Sequence, residues 1–151
     1  MQHQIDSIAR EFFSAFDNRA GRKVDLSALR SRFLPGALIV KNTQSSSESM
    51  SVEEFIQPRQ VLLTNGSLVD FHESEIDATT LCFGGIACRT LRYAKEGVLN
   101  GAPYSGEGMK SMHFVKTADG WRITSIIWQD AEAGLPIVEA AWPESVVTNN
   151  R

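Results

Sequence analysis

The chain has 151 residues, of which 42% are apolar and 22% charged, a composition typical of one globular domain with its own hydrophobic core. Its 15 basic residues are scattered among 18 acidic ones, which argues against a nucleic-acid partner because such surfaces concentrate Lys and Arg. No apolar run reaches the roughly 20 residues that span a bilayer, and the N-terminus lacks a signal-peptide pattern, so we expect a cytoplasmic protein without membrane contact.

The first part of the chain is predicted to contain two helices. Apolar residues recur at helical spacing in IDSIAREFFSAF, which predicts an amphipathic helix that ends near Gly21. Asp25 is placed to cap a short second helix, LSALRSRF, which stops before Pro35. A brief apolar strand, ALIVK, follows it.

A polar segment and a third helix come next. The serine-rich stretch at residues 44–49 is predicted to be a mobile loop, with a flap over a pocket or a modification target as other interpretations. Ser51 and Glu54 form the pattern of a capping box at the start of VEEFIQPRQVLL. Pro58 is expected to kink or split this helix because it lacks a backbone N–H. Asn65-Gly66 is expected to end it.

From there the chain is predicted to form antiparallel strands. A two-residue loop at Gly84-Gly85 would pair Phe83 with Ile86 and place Cys82 and Cys88 on opposite faces of the sheet. No disulfide within the chain is therefore expected. GVLNGAPYSGEG is predicted to be a loop or a bulged hairpin, and the Asp-Gly pair of TADG predicts a turn between the last two strands.

The last strand has two faces that differ in composition. Helices followed by consecutive antiparallel strands predict an α+β fold with the helices on one face of the sheet. Because both faces of the strand carry large apolar groups, we expect both to be covered, one by helices and the other by the C-terminal tail or by a second subunit. One face carries Trp121, Ile123, Ser125, Ile127 and Gln129, and the other Arg122, Thr124, Ile126, Trp128 and Asp130.

The order helix, helix, short strand, capped helix and then strands that end in GW-R-I-x-S-I-x-W resembles the nuclear transport factor 2-like superfamily. This cystatin-like superfamily includes ketosteroid isomerases, scytalone dehydratase and polyketide cyclases, and HFVKTADGWRITSIIWQD is similar to uncharacterised bacterial members. The resemblance covers residues 1–132, taken as the domain, and leaves 133–151 as a C-terminal tail. It implies a strongly curved antiparallel sheet with N-terminal helices on its concave face, which together form a cone-shaped pocket.

The resemblance also implies which side chains face the pocket. Thr124 would face the pocket together with Ile126 and Trp128. His113 would point away, and Asp130 would lie at the rim. Arg89 and Tyr93 share one face of their strand and are the candidate polar groups that reach inward. The predicted apolar lining consists of Phe12, Phe16, Met112, Phe114, Ile126 and Trp128.

The catalytic groups of ketosteroid isomerases have no match in the chain. Lys41 or Val40 stands where the resemblance places a general-base aspartate, and Met112 stands where it places an oxyanion-stabilising acid. The first helix offers phenylalanines where a tyrosine is expected. Without a base and a hydrogen-bond donor, enolisation by that route has no machinery.

Two charged residues are the candidates for other chemistry. Asp130 follows Trp128, and a carboxyl group beside an apolar ring can have a raised pKa and move protons, or it can simply end the strand. The planar guanidinium of Arg89 could bind a carboxylate or an enolate. Equally, Arg89 could form a structural ion pair with an acid of the preceding strand, namely Glu73, Glu75 or Asp77.

These observations predict a binding protein for a small hydrophobic molecule that bears a carbonyl or a carboxylate. A cofactor-free isomerase, dehydratase or cyclase would use the same pocket, with Asp130 as acid or base and Arg89 on the enolate. The alternative is a non-catalytic module that forms a homodimer through the convex face of the sheet. No metal or cofactor is expected, because the histidines are isolated and neither a CxxC nor a Walker pattern occurs.

Overall fold

The computed structural model describes residues 2–137 and shows an α+β fold of helices on a six-stranded sheet. Most of the predicted tail, residues 138–151, lies outside the described residues. None of the helices in residues 2–137 is long and apolar enough to cross a membrane. The elements are α1 (Gln2–Ser14), 3-10 turns at Arg19–Gly21 and Leu26–Arg32, β1 (Phe33–Asn42), β2 (Ser47–Met50), α2 (Val52–Thr64), β3 (Leu68–Phe83), β4 (Ile86–Leu99), β5 (Ala102–Thr117) and β6 (Gly120–Asp130).

The six strands form one curved sheet in the order β2-β1-β6-β5-β4-β3. Neighbouring strands are antiparallel except for β1 and β6, which run parallel, so the sheet is mixed. The predicted α+β class and curved sheet are confirmed. The parallel pair arises because β6 returns to the sheet beside β1, after the β3–β5 meander has already occupied the other edge.

The first helix ends earlier than predicted. Helix α1 buries the apolar stripe expected from its spacing, including Ile5 and Phe12, but it stops at Ser14 and not near Gly21. The cause is Asn18, whose side chain donates to the carbonyls of Leu63 and Leu68 at 3.0 and 2.7 Å. Its amide oxygen also accepts from a backbone N–H of β3. These buried hydrogen bonds fix the chain in a turn and override further helix.

The caps of the next two helical segments follow the sequence. Asp25 accepts a hydrogen bond from the backbone N–H of Ser27 and begins the 3-10 segment. Ser51 and Glu54 form the predicted capping box, with both hydrogen bonds at 3.1 Å. Pro58 does not split α2, which continues to Thr64. Helices tolerate this residue poorly, and the stability of α2 therefore rests on packing against the sheet.

The second half of the serine-rich segment is part of the sheet, so the prediction of a loop is wrong for residues 47–49. Strand β2 pairs antiparallel with β1, with Lys41 opposite Glu48. The turn between them is held by Thr43, whose hydroxyl accepts from the backbone N–H of Ser46 at 3.0 Å. Side chain to backbone bonds of this kind turn a polar stretch into a hairpin.

The long hairpins of the sheet are set by two-residue turns. The Gly84-Gly85 loop gives the predicted register, with Cys82 opposite Ala87, and both cysteines are free. Of the two structures predicted for GVLNGAPYSGEG, the segment forms the hairpin and not the loop, because Asn100-Gly101 makes a tight turn and the flanking residues pair as strand, without the expected bulge in the β4–β5 pairing. Positive φ angles of 50° and 82° at this Asn-Gly pair fit the turn type that such dipeptides favour in hairpins.

A bulge in β6 corrects the two-face prediction for this strand. Opposite β5, His113 pairs with Ser125 but Phe114 pairs with Ile123, which leaves Thr124 as an extra residue. The alternation therefore changes phase at Thr124, and Trp121 and Ile123 are buried together with Ile126 and Trp128. Only Ile127, 48% exposed, is a large apolar residue of β6 on the outer face. The composition of β6 therefore does not require a cover over the outer face of the sheet.

Candidate ligand cavity

A cavity of about 320 Å³ lies between the two α-helices and the concave face of the sheet. This volume falls at the lower end of the range for small-molecule sites, about 300 to 1,000 Å³. The helices contribute one wall, and strands β3 to β6 with the end of β1 contribute the other. Its lining consists of Phe12, Phe16, Lys41, Phe55, Pro58, Arg59, Leu62, Leu63, Leu68, Phe71, Glu73, Lys95, Tyr104, Lys110 and Trp128.

One side of the cavity is an aromatic wall. Phe55 of α2 stacks parallel to Phe12 at 6.3 Å between ring centroids and meets Trp128 edge-on at 5.8 Å. Phe16 meets Phe12 edge-on at 5.2 Å. Such arrangements are the favoured geometries of aromatic pairs and hold the rings in place. The wall presents fixed apolar surface to whatever enters the cavity.

A buried ion pair lies beside this wall, with the Nζ atom of Lys110 5.3 Å from the ring centroid of Phe12 and 5.4 Å from that of Trp128. The Nζ atom of Lys110 donates to Oε2 of Glu73 at 3.0 Å, and the two side chains are 7% and 11% exposed. Burial lowers the pKa of Lys110 below its usual value, and the Glu73 carboxylate offsets only part of that effect. A lysine this deeply buried is rare unless it is paired.

A second charged group links β4 to β6 across the intervening strand β5. Tyr93 of β4 donates its hydroxyl to Asp130 of β6, and Lys95 donates to both oxygens of Asp130 at 3.0 and 3.1 Å. Burial raises the pKa of Asp130, but the bond from Tyr93 and the charge of Lys95 outweigh it, so the pKa lies below its usual value. Gly108 makes the arrangement possible, because a Cβ there would clash with the Tyr93 hydroxyl and with the Gln129 carbonyl.

Arg59 of α2 has no carboxylate partner among residues 2–137. Its guanidinium lies 4.2 Å from the centroid of the Phe55 ring and 5.5 Å from that of Trp128. One nitrogen donates to the carbonyl of Phe55 at 3.0 Å. No Asp or Glu oxygen of the described chain lies within ion-pair distance of it. Burial lowers the pKa of Arg59, yet an arginine stays protonated under such conditions.

The lining of the cavity therefore carries an excess of positive charge. Lys41, Arg59, Lys95 and Lys110 line it, and Glu73 is the one acid among the described lining residues. Asp130 neutralises Lys95 from outside the lining. Lys41 and Arg59 are left without a carboxylate in contact within the described chain. The charges of Glu48 and Glu73 act on Arg59 only from beyond ion-pair distance. An aromatic wall beside cations that no carboxylate contacts suits a ligand with an apolar body and an anionic group.

The structure brings together some of the predicted pocket residues. Phe12, Phe16 and Trp128 line the cavity. Tyr93 is fully buried and does not line the cavity, although its ring lies 4.7 Å from Nζ of the lining residue Lys110 and its hydroxyl donates to Asp130. The other three predicted apolar lining residues belong to the packed core behind the cavity and do not line it: Met112, Phe114 and Ile126.

Arg89 does not reach this cavity. It lies in a separate cleft, where it binds Glu75 through two hydrogen bonds of 2.8 and 2.6 Å and Asp6 of α1 through one of 2.6 Å. This is the structural ion pair that the sequence left open as the alternative. The Glu75 bonds raise the pKa of Arg89 and saturate one edge of its guanidinium. Thr124 is the bulged residue and is absent from the lining.

The charged residues of the cavity were not identified from the sequence. Lys110 lies two residues before Met112, on the same face of β5, so its inward direction follows from the strand period. Lys95 lies two residues after Tyr93, on the same face of β4. The alternation of the strands thus indicated that both lysines point inward. They were missed because a lysine in a strand is ordinarily assigned to the solvent face. Arg59 had no local signal, because α2 places charged residues on several sides.

Comparison with known structures shows the same fold in proteins of several kinds. A nuclear transport factor 2-like protein of Salmonella enterica matches with a TM-score of 0.61 at 13% identity, over 89% of this chain and 95% of that one. A ketosteroid isomerase-like protein of Shewanella frigidimarina gives 0.61 at 17% identity, over 83% and 94%. The CaMKII hub of S. rosetta gives 0.60 at 16% identity, over 86% and 93%.

The chain thus has the nuclear transport factor 2-like fold that its sequence resembles. At these identities the matches show the fold alone. The sequence matches no family model and no curated protein.

Proposed function

We propose that the protein binds a small amphipathic carboxylate in this cavity. The apolar body of the ligand lies against Phe12, Phe55 and Trp128, which are held in place by their mutual packing. The carboxylate lies against Arg59, whose guanidinium lies over the Phe55 ring, and against Lys41, which also lines the cavity. This narrows the expectation of a hydrophobic molecule with a carbonyl or a carboxylate to one that carries a negative charge.

The observation that carries the proposal is the unpartnered guanidinium of Arg59. A partly buried charge without a counterion is unfavourable, because it gives up hydration and receives no ion pair in return. The described chain supplies carboxylates to two other cations of the cavity lining, as Glu73 does for Lys110 and Asp130 for Lys95. Arg59 keeps free donors toward the cavity, and a planar guanidinium binds a carboxylate through two parallel hydrogen bonds.

Catalysis by the predicted pair Asp130 and Arg89 receives less support from the geometry. A general acid must hold a proton near neutral pH, whereas the lowered pKa of Asp130 keeps it ionised. Arg89 lies in the other cleft and is bound to Glu75 and Asp6. We therefore place binding before turnover in the proposal.

The test compares an acid with its uncharged analogue. Calorimetric titration with para-tert-butylbenzoate and with the corresponding benzamide should show tighter binding of the acid. Substitution Arg59→Gln should weaken binding of the acid by roughly 1.5 to 3 kcal/mol, the value of a hydrogen bond to a charged group. The affinity for the amide should change little.

The matched control is Lys116→Gln, which removes one positive charge from an exposed site on β5 outside the cavity. It should leave both affinities unchanged. Equal binding of acid and amide, or an equal loss in both variants, would contradict the proposal. Native mass spectrometry of the protein purified from its own host would show any small molecule that it carries.

A second candidate function is self-association through the outer face of the sheet, the face opposite α1. Leu38, Ile86 and Ile127 are 50%, 60% and 48% exposed, and the register of the strands places all three on that face. Leu38 and Ile127 lie on neighbouring strands, and exposed apolar surface of this kind can mark an interface. The homodimer expected through the convex face of the sheet would bury these side chains.

The dimer is tested by light scattering coupled to size exclusion. Ile127→Lys should convert a dimer to a monomer, because a lysine buried at a symmetric interface meets a second copy of itself. Leu135→Lys, at an exposed site after β6, is the control. A wild-type monomer at high protein concentration would rule the candidate out.

A further inference from the structure

Lys110 is a primary amine at the wall of the cavity, inside a cage of aromatic rings. Its Nζ atom lies 4.7 Å from the ring centroid of Tyr93, 5.3 Å from Phe12 and 5.4 Å from Trp128. The side chain lines the cavity and is 7% exposed. The cage restricts the motion of the side chain and excludes bulk water from the amine.

The surroundings of Lys110 favour the neutral amine more than those of an exposed lysine do. Burial lowers its pKa, and the positive charges of Lys95 and Arg59 act in the same direction. Glu73, at 3.0 Å, is placed to take the proton. A neutral amine in an apolar pocket is the form that adds to a carbonyl carbon.

We propose that Lys110 forms an imine with an aldehyde or ketone that also carries an anionic group. This inference rests on the proposed function, because the cations that receive a carboxylate ligand would hold the same anionic group here. With that group at Arg59 and Lys41, the apolar body of the ligand lies along the aromatic wall and its carbonyl carbon comes next to Lys110. The site would thus retain its ligand covalently and reversibly.

The step balances with groups that the protein and the ligand supply. The ammonium of Lys110 gives a proton to Glu73, and the nitrogen lone pair forms a bond to the carbonyl carbon while the carbonyl electron pair moves to oxygen. A proton passes from the nitrogen to that oxygen, which gives the carbinolamine. Glu73 then returns its proton to the hydroxyl, water leaves and the protonated imine remains, with no oxidant or reductant involved.

Lys95 lines the same cavity but is not placed for this chemistry. It is held by both oxygens of Asp130 at 3.0 and 3.1 Å. Burial lowers its pKa, but the charge of Asp130 outweighs burial and the pKa lies above its usual value. Lys95 therefore stays protonated and does not add to carbonyls near neutral pH. The two lysines of the cavity therefore differ in the direction of their pKa shifts, because Asp130 outweighs burial at Lys95 and Glu73 does not at Lys110.

The experiment uses reductive trapping of the wild-type protein at pH 7. Para-carboxybenzaldehyde is added with cyanoborohydride, which reduces an imine to a stable amine, and the modified lysine is located by peptide mass spectrometry. We expect Lys110 to be labelled at least about tenfold faster than the exposed Lys116, because a ligand held by its anionic group keeps the carbonyl beside the amine. Benzaldehyde, which lacks the anion, should label Lys110 more slowly.

Two results would overturn the inference. One is labelling of Lys110 that is no faster than that of Lys116 at any pH between 6 and 9. The other is equal labelling of Lys110 by both aldehydes, since the anionic group would then have no part in it. Lys110→Met should lose the fast phase of labelling, with circular dichroism to show that the variant is folded. The wild-type result stands without that variant.

A carbonyl-free ligand separates this inference from the proposed function. Para-(hydroxymethyl)benzoate has the same body and anion as the probe but forms no imine. If it binds in an Arg59-dependent manner while the aldehyde leaves Lys110 unmodified, the imine is wrong and carboxylate binding stands. If neither the alcohol nor the aldehyde binds or reacts, the proposed function fails together with the inference.

Discussion

Removal of one partner of the Lys110–Glu73 pair should be strongly destabilising. Lys110→Met keeps the length and the apolar stem of the side chain but leaves the Glu73 carboxylate in a site that is 11% exposed. Breaking a buried pair in this way costs about 3 to 5 kcal/mol. Because Lys95 and Arg59 line the same cavity and attract the carboxylate, we expect the lower end of that range, about 3 kcal/mol.

The assay is urea unfolding at pH 7, followed by tryptophan fluorescence, for four variants. Glu73→Gln should lose a similar amount, since the Lys110 amine then lacks its carboxylate. The double variant Glu73→Gln with Lys110→Met should recover about 2 kcal/mol of the summed losses, because neither charge is then stranded. Lys116→Met, at an exposed site, should stay within about 0.5 kcal/mol of the wild type.

The pH dependence of the free energy of unfolding tests the same pair independently. Burial lowers the pKa of Lys110, so the unfolded chain binds this proton more tightly than the folded one. The contribution of Lys110 to stability therefore rises with pH from the folded pKa up to about 10.4, the usual lysine value. The difference between wild type and Lys110→Met should follow this trend. Strictly additive single losses, or a difference independent of pH, would refute the reasoning about the pair.

Three further predictions concern the scaffold of the cavity. Asn18→Ala should lower the free energy of unfolding in urea by about 3 kcal/mol or more, because buried backbone groups of α2 and β3 lose their hydrogen-bond partners. Ser14→Ala, in the same region, is the control and should cost little in the same assay. Gly108→Ala should cost about 1 to 3 kcal/mol by overpacking against Tyr93, and a loss below 0.5 kcal/mol in that assay would contradict the close approach. Because the folded pKa of Asp130 is lowered, its stabilisation is present above about pH 3.9, the unfolded value, and is lost as pH falls through the folded pKa. The difference between wild type and Asp130→Asn should therefore shrink on acidification, and a constant difference would exclude ionised Asp130 as its source.

Much of the fold could be predicted because short-range rules determine it. The Gly84-Gly85 turn is two residues long, so it sets the register of the whole β3–β4 hairpin, and that register was predicted correctly. Asp25 and Ser51 cap their helices through bonds that span only a few residues. Asn100-Gly101 carried an equally strong turn signal, but the glycines around it suggested a loop. Local chemistry was sufficient wherever one turn or cap decided the structure.

The site could be predicted only in part, because its geometry depends on distant strands. The bulge at Thr124 lies where β6 pairs with both β5 and the parallel β1. No residue of β6 predicts a bulge from its type alone. Arg89 was correctly placed on the inward face of β4, but the sequence left open which acid would bind it. Burial depth along a curved strand is set by what the helices cover. The inward lysines were therefore missed although their period was visible.

The distribution of charge over the concave face explains why the cavity should select an anion. Glu73 lies on the wall between the cavity and the cleft that holds Arg89, and it contributes to both. The cleft holds both acids and arginines, and Asp6 and Glu75 neutralise Arg89 there. On the cavity side the cations outnumber the acids, since Glu73 balances one of them and Asp130 another. The positive excess of the cavity is shared by more than one cation, so loss of Arg59 should weaken anion binding without abolishing it, and Lys41 should carry what remains.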